Sequence, residues 1–149
     1  MRMGAPPRVF FDSSILLAFL AGEDPRAYGL VEAVEDGEIR GYVNGVVVSE
    51  VMHGYLRLAT GLSSRRIRQL LARRDERLVA LLREDVEPLL GLFEVLPAPP
   101  PREVFEAAAA YGLMPSDAVI VATCRVHGVN VIASLDSDFR RVPWLRVIP

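Results

Sequence analysis

The amino-acid sequence predicts an α/β fold built on a mainly parallel sheet. Two observations carry this expectation. Short strand-like runs alternate with helix-like segments along the chain, as in proteins whose parallel strands are joined by helical crossovers. The chain of 149 residues is 51% hydrophobic, which suits one domain over residues 1–149 with one core and is too apolar for a disordered polymer.

The elements follow in order. Arg8 to Phe11 is a short apolar run that predicts the first strand. Ser14 to Ala21 predicts a helix stopped by Gly22. Pro25 to Glu35 predicts a second helix, with Pro25 in its first turn and Gly37 beyond its end. Ile39 to Val43 predicts a strand. Val46 to Ala59 carries apolar residues at 47, 48, 51, 55, 58 and 59, a helical period. Ser63 to Leu90 predicts two arginine-rich helices, with Ser63 and Ser64 as caps. Leu92 to Leu96 predicts a short strand, and the proline-rich Pro97 to Pro101 a stiff connection. Arg102 to Tyr111 predicts an alanine-rich helix ending at Gly112. Ser116 to His127 predicts a buried helix capped by Ser116 and closed by Gly128. Val129 to Ala133 is a β-branched strand, and Trp144 to Ile148 predicts the last one.

Composition excludes several chemistries. All seventeen basic residues are arginine, so no mechanism that needs a lysine is available. The single cysteine, Cys124, cannot form an internal disulfide, sits in an apolar run as a buried small residue, and fits a cytoplasmic setting. With only His53 and His127 to join it, a zinc site of the usual Cys/His type is excluded. No apolar run reaches the roughly 18 to 20 residues of a membrane helix. The longest, Val9 to Gly22, is interrupted by Asp12-Ser13-Ser14, and Met1 to Arg8 has no signal-peptide pattern. The net charge of −2 argues against a uniformly cationic nucleic-acid binder.

In open parallel sheets the site lies beyond the carboxyl ends of the strands. That rule singles out Asp12, after the first strand, and Asp136, after the strand at 129–133. Glu50 borders the apolar face of its helix, Asp117 opens the buried helix, and Asp138 follows Asp136 in a polar turn. Each has an ordinary reading as a helix cap, a solvated face, a dipole partner or a turn residue. Their conjunction points elsewhere. Converging carboxylates repel, and a hard divalent cation removes that repulsion. Such an ion can orient water and neutralise a phosphate in flight, which suits phosphodiester hydrolysis.

The ordered pieces Val9-Phe10-Phe11-Asp12-Ser13-Ser14, Ser49-Glu50-Val51, Ser116-Asp117-Ala118-Val119-Ile120-Val121-Ala122 and Ser134-Leu135-Asp136-Ser137-Asp138-Phe139 resemble the PIN-domain family, and within it the toxin ribonucleases of toxin–antitoxin pairs. The resemblance covers nearly the whole chain. It implies a three-layer α/β/α sandwich and an endoribonuclease dependent on Mg²⁺ or Mn²⁺, with RNA as substrate and a small antitoxin protein as partner. It also implies that Asp12, Glu50, Asp117 and Asp136 form the acidic quartet, with Asp138 a fifth acid and metal ligand. Ser13 and Ser134 fall where small hydroxyl residues support the carboxylates. Two departures stand out: the region 63–90 is longer than in compact relatives, and Ser134 stands where threonine is more usual.

The arginines of the 63–90 region, Arg65, Arg66 and Arg68 foremost, suit phosphate contacts, but Asp75, Glu76, Glu84, Asp85 and Glu87 balance them toward an ordinary solvated face. His53 reads as a surface or packing residue, and Tyr42, Tyr55 and Trp144 as core or rim. The apolar excess predicts a homodimer and a groove for a partner peptide. Alternatives in the same fold are an RNA-processing or DNA nuclease, or a non-catalytic binding module. An aspartyl phosphatase fits poorly, because Ser14 occupies the place of the second aspartate and no lysine is present.

Overall fold

The computed structural model describes residues 4–149; Met1 to Met3, part of the stretch expected to lack a signal-peptide pattern, lie outside the described residues. Five strands form one sheet: β1 (Arg8–Phe11), β2 (Arg40–Asn44), β3 (Glu94–Leu96), β4 (Val131–Ala133) and β5 (Arg146–Ile148), in the order β3-β2-β1-β4-β5. Every neighbouring pair is parallel. The register sets Phe10 beside Tyr42 on one side and Ile132 on the other, and Phe11 beside Ala133. A central strand covered on both faces must be apolar on both. Val9, Phe10 and Phe11 are all buried, and Phe11 meets Phe93 edge to face with centroids 4.9 Å apart.

Helices flank this sheet as the outer layers of an α/β/α sandwich: α1 (Ser13–Ala21), α2 (Pro25–Glu35), α3 (Gly45–Thr60), α4 (Ser64–Ala72), α5 (Glu76–Leu81), α6 (Glu87–Leu90), α7 (Pro101–Tyr111) and α8 (Pro115–Val126). Helix α1 packs on α2 and α3, and α7 packs on α8. Gly54 allows the close approach of α3 to α1, since a Cβ there would lie 2.7 Å from Leu17 Cδ1. Along α8, Ala118 and the run from Ile120 to Cys124 are buried. Cys124 is an apolar core residue, its thiol pushed up to about 12 by burial. Among the described residues no single helix is long and apolar enough to cross a membrane.

Most elements fall within a residue or two of the sequence expectation, and the differences have local causes. Pro101 and Pro115 occupy the first turns of α7 and α8, where a missing N–H costs nothing, so both helices start one residue early. Ser116 therefore lies inside α8 and does not cap it; Met114 holds the cap position without a side-chain bond. The region 63–90 departs most. Its first helix, α4, is capped by Ser63 as expected, but the second is not one regular helix. After α5 it widens into a π-helical turn, Leu82–Val86, before α6. Pro88 has no N–H to give, and the Glu87 N–H bonds Leu82 O, five residues back, so the ladder slips one place. Ile67 and Leu78 of this region join Leu56 of α3 in a small second cluster apart from the main core.

Asn44 links the layers. It is buried at the end of β2, its side-chain oxygen accepts from Val47 N at 3.1 Å to cap α3, and its Nδ2 donates to Thr123 Oγ1 on α8 at 3.0 Å. Replacing Asn44 with Ala removes the cap and leaves Thr123 without its donor. The expected loss is about 1–3 kcal/mol in urea unfolding; an unchanged midpoint would contradict the link.

Candidate active site

The sheet order creates the site. From β1 the chain proceeds outward through β2 and β3 on one side, then returns to lay β4 and β5 on the other. The order of connection reverses between β1 and β4, and in open parallel sheets such a switch point, at the carboxyl ends of the strands, is where a site is expected. Asp12 leaves β1 there, with its N–H on Ala133 O at 3.0 Å, and Ser134 leaves β4 with its N–H on Ile148 O at 2.9 Å.

Asp12 is only 5% exposed. It holds the cap position of α1, yet its carboxylate makes no capping bond. Instead Oδ2 accepts from Ser14 Oγ at 2.9 Å and from Ser134 Oγ at 2.8 Å. Those hydroxyls in turn accept from the N–H of Leu135 and of Asp136, each at 3.0 Å. Each serine has one hydroxyl hydrogen, and both are spent on the same oxygen. The junction locks the α1 start, the β4 end and Asp136 into one arrangement. Ser134 thus stands beside Asp12, as the sequence suggests, but its partner hydroxyl is Ser14. Ser13 is instead beside Glu50, where its hydroxyl favours the charged carboxylate.

Carboxylate oxygens of Asp117, Asp136 and Asp138 lie within 4.8 Å of one another, all partly buried. Asp117, in the first turn of α8, is pushed up to about 6, first by burial and then by the charges of Asp136, Asp12 and Asp138, with Arg141 opposing. Glu50 on α3 is also raised, by burial, then by the Asp12 and Asp117 charges. The five acids named from the sequence therefore share one electrostatic neighbourhood. Asp117, Asp136 and Asp138 form its tight face, and Asp12 and Glu50 stand behind it. A 3₁₀ segment, Ser137–Arg141, shapes the Asp136–Asp138 side. Asp138 N–H donates to Asp136 Oδ1 at 2.9 Å, and buried Phe139 anchors the turn.

Arg65, Arg66 and Arg68 do not join this group. They are exposed on α4, which packs on α3 and α5, and Arg66 reaches Gln69 Oε1 at 3.2 Å. His53 is engaged with Ser64 Oγ at 2.9 Å, Tyr55 donates to Asp85, and Trp144 donates to Tyr111 Oη at 2.9 Å. Tyr42 is buried in the core. Ser14, Asn44 and Arg141 are the site's supports that sequence reasoning leaves out. The signals were slight: a second serine after Asp12, and an asparagine at a strand end ahead of a helix.

The donors are all oxygen, with no thiolate or imidazole among them, which selects a hard cation. Three carboxylates within 4.8 Å of one another are a donor set that would hold a hard divalent cation after drawing inward. The raised Asp117 carboxyl fixes the sign of a pH effect. In the metal-free protein the folded state takes up this proton before the unfolded chain does, so this group adds stability as pH falls from about 6 toward its unfolded value. The Asp117→Asn protein, which lacks the penalty, is expected to melt above wild type at pH 7, with the advantage shrinking toward pH 4. A difference that stays constant across metal-free melts would contradict the crowding.

Comparison with known proteins bears on the family and the fold. Residues 9–145 match the sequence profile of the family described as PIN domain. Ribonuclease VapC2 of Methanocaldococcus jannaschii is 36% identical over 146 residues, spanning 95% of this chain and 93% of that protein. Among solved structures, PAE2754 from Pyrobaculum aerophilum superposes with a TM-score of 0.65 at 18% identity, covering 95% of this chain and 89% of that one. A toxin–antitoxin complex from Klebsiella pneumoniae gives 0.57 at 20% identity, covering 95% and 96%. With the profile matched from within β1 to the edge of β5, this chain belongs to the PIN domain family.

Proposed function

We propose that this protein is an endoribonuclease dependent on Mg²⁺ or Mn²⁺, and the toxin of a toxin–antitoxin pair. The observation that carries this reading is the convergence of Asp117, Asp136 and Asp138 within 4.8 Å, backed by Asp12 and Glu50, in a chain 36% identical to a protein named a ribonuclease. In this reading Asp12, Asp117 and Asp136 hold the cation, with Asp138 and Glu50 completing its surroundings. When bound, a divalent ion neutralises charge on the scissile phosphate and acidifies water.

The chain's own residues supply the rest. Ser14 and Ser134 fix the Asp12 carboxylate, so it is already oriented before any substrate arrives. Glu50, its carboxyl raised by burial and by Asp12, is suited to accept the proton lost by the attacking water. The crevice at the carboxyl end of β1 and β4 admits an RNA backbone to the acidic face. Arg65, Arg66 and Arg68 are exposed on α4 and are secondary phosphate contacts in this scheme.

The partners follow the same reading. Two apolar surface cavities share Val48, Met52 and Leu82 between α3 and the 63–90 region, one extending to Leu71 and the other to Val95 on β3, and they support docking of an antitoxin peptide. We read the protein as a cytoplasmic homodimer of single-domain chains. All five acids are present, which disfavours a non-catalytic binding module.

Single-stranded RNA is the direct test. Wild-type protein with Mn²⁺ or Mg²⁺ is expected to cleave it, EDTA to stop cleavage, and Asp117→Asn to lower the rate by about 100-fold or more. Failure of folded protein to cut diverse RNAs with either ion would overturn the ribonuclease reading in favour of DNA cleavage or binding alone.

A further inference from the structure

We propose that Arg141 is a positioning residue of the acidic site, holding Asp138 against the start of α8 so that Asp117, Asp136 and Asp138 already face one another at a spacing that accepts a cation. The inference rests on reading that cluster as a metal centre. Arg141 sits at the end of the 3₁₀ segment and reaches two acceptors at once. One amino group donates to Gly112 O at 2.8 Å, and the other to Asp138 Oδ1 at 3.0 Å.

Gly112 closes α7 in the left-handed conformation, with φ 63°, and three residues later Pro115 begins α8 with Asp117 in its first turn. The guanidinium therefore spans the two chain segments that carry the opposing halves of the cluster. On the Asp138 side the constraint passes inward. The Asp138 N–H is bonded to Asp136 Oδ1, the Asp136 N–H to Ser134 Oγ, and Ser134 to Asp12. Gly112, Arg141, Asp138, Asp136, Ser134 and Asp12 form one continuous chain of bonds around the rim of the site.

The arrangement needs arginine. A planar fork can serve two acceptors in fixed divergent directions, whereas a lysine ammonium is a point charge without that geometry. Arg141 also offsets part of the negative charge that crowds Asp117. The bond to Arg141 occupies one lone pair of Asp138 Oδ1, and the carboxylate keeps others for a cation. The side chains of the pair are 52% and 39% exposed, so the bond adds little to global stability. Its effect is on where the carboxylates stand.

The test uses the full chain with Arg141→Gln and Arg141→Lys, and reads Mn²⁺ binding by calorimetry without RNA beside the Mn²⁺ dependence of cleavage. For Arg141→Gln we expect a melting temperature close to wild type and Mn²⁺ affinity weakened about 10-fold. Cleavage should recover at saturating Mn²⁺, with KM for RNA little changed. Arg141→Lys should fall between the two. In an Asp138→Asn background, Arg141→Gln should cost no further affinity, because the group it positions is already disabled. Unchanged Mn²⁺ affinity in both variants would overturn the proposal. So would a raised KM for RNA with Mn²⁺ binding intact, which would make Arg141 a substrate contact. Absence of Mn²⁺ binding by wild type would sink the metal-centre reading itself, a result distinct from either.

Discussion

Parallel pairing of β1 with β4 sets Phe11 beside Ala133, and the residues that follow these two strands are thereby forced together. Asp12 follows one strand and Ser134 the other, so a hydroxyl and a carboxylate meet at hydrogen-bond distance across 122 residues of sequence. Ser14 completes the junction. A slip of one residue in this register would send Phe11 and Ala133 to opposite faces of the sheet and separate Asp12 from Ser134. The hydrophobic burial of β1 and β4 thus fixes the chemistry above them.

The same packing gathers like charges that repel. Asp117 stands up at about 6 because α8 is buried and because three other carboxylates surround it. The fold tolerates this because the repulsion is confined to one crevice edge, while the sheet and α8 supply the apolar burial that holds it closed. Local devices then aim each acid. Asn44 binds α3 to α8, the serine pair orients Asp12, and Arg141 ties Asp138 to the α7–α8 turn. A divalent cation bound among these oxygens would relieve the crowding that these devices maintain, which is the physical ground of the metal-site reading proposed above.

The fold class and the order of the elements were legible because apolar runs and helical periods alternate along the chain. Asp12 and Asp136 were legible for a second reason: each follows a strand, where open parallel sheets place their sites. Asp117 and Glu50 were less so, since an acid in a first helical turn or at the edge of an apolar face has an ordinary explanation; their conjunction with the other acids singled them out, and the ordered motifs of the family strengthened the case. The choice between Ser13 and Ser14 depends on the helical phase at the first turn of α1, which neighbouring serines do not reveal. Arg141 looks like any surface arginine until tertiary structure brings Gly112 O within its reach. The π-helical turn at Leu82–Val86 was hidden because Pro88 signals a break but not how the ladder accommodates it. Ser116 failed as a cap because Pro115 began the helix one residue earlier.

The central claim is that the acids at the carboxyl end of the sheet are a divalent-cation site. Anomalous diffraction at the manganese edge, from crystals grown with Mn²⁺, examines it directly. We expect a peak between the carboxylates of Asp117 and Asp136, with carboxylate oxygens as its ligands and Asp12 in its surroundings. Occupied manganese only elsewhere on the surface, or no peak at all in crystals soaked to saturation with the crevice open, would contradict it.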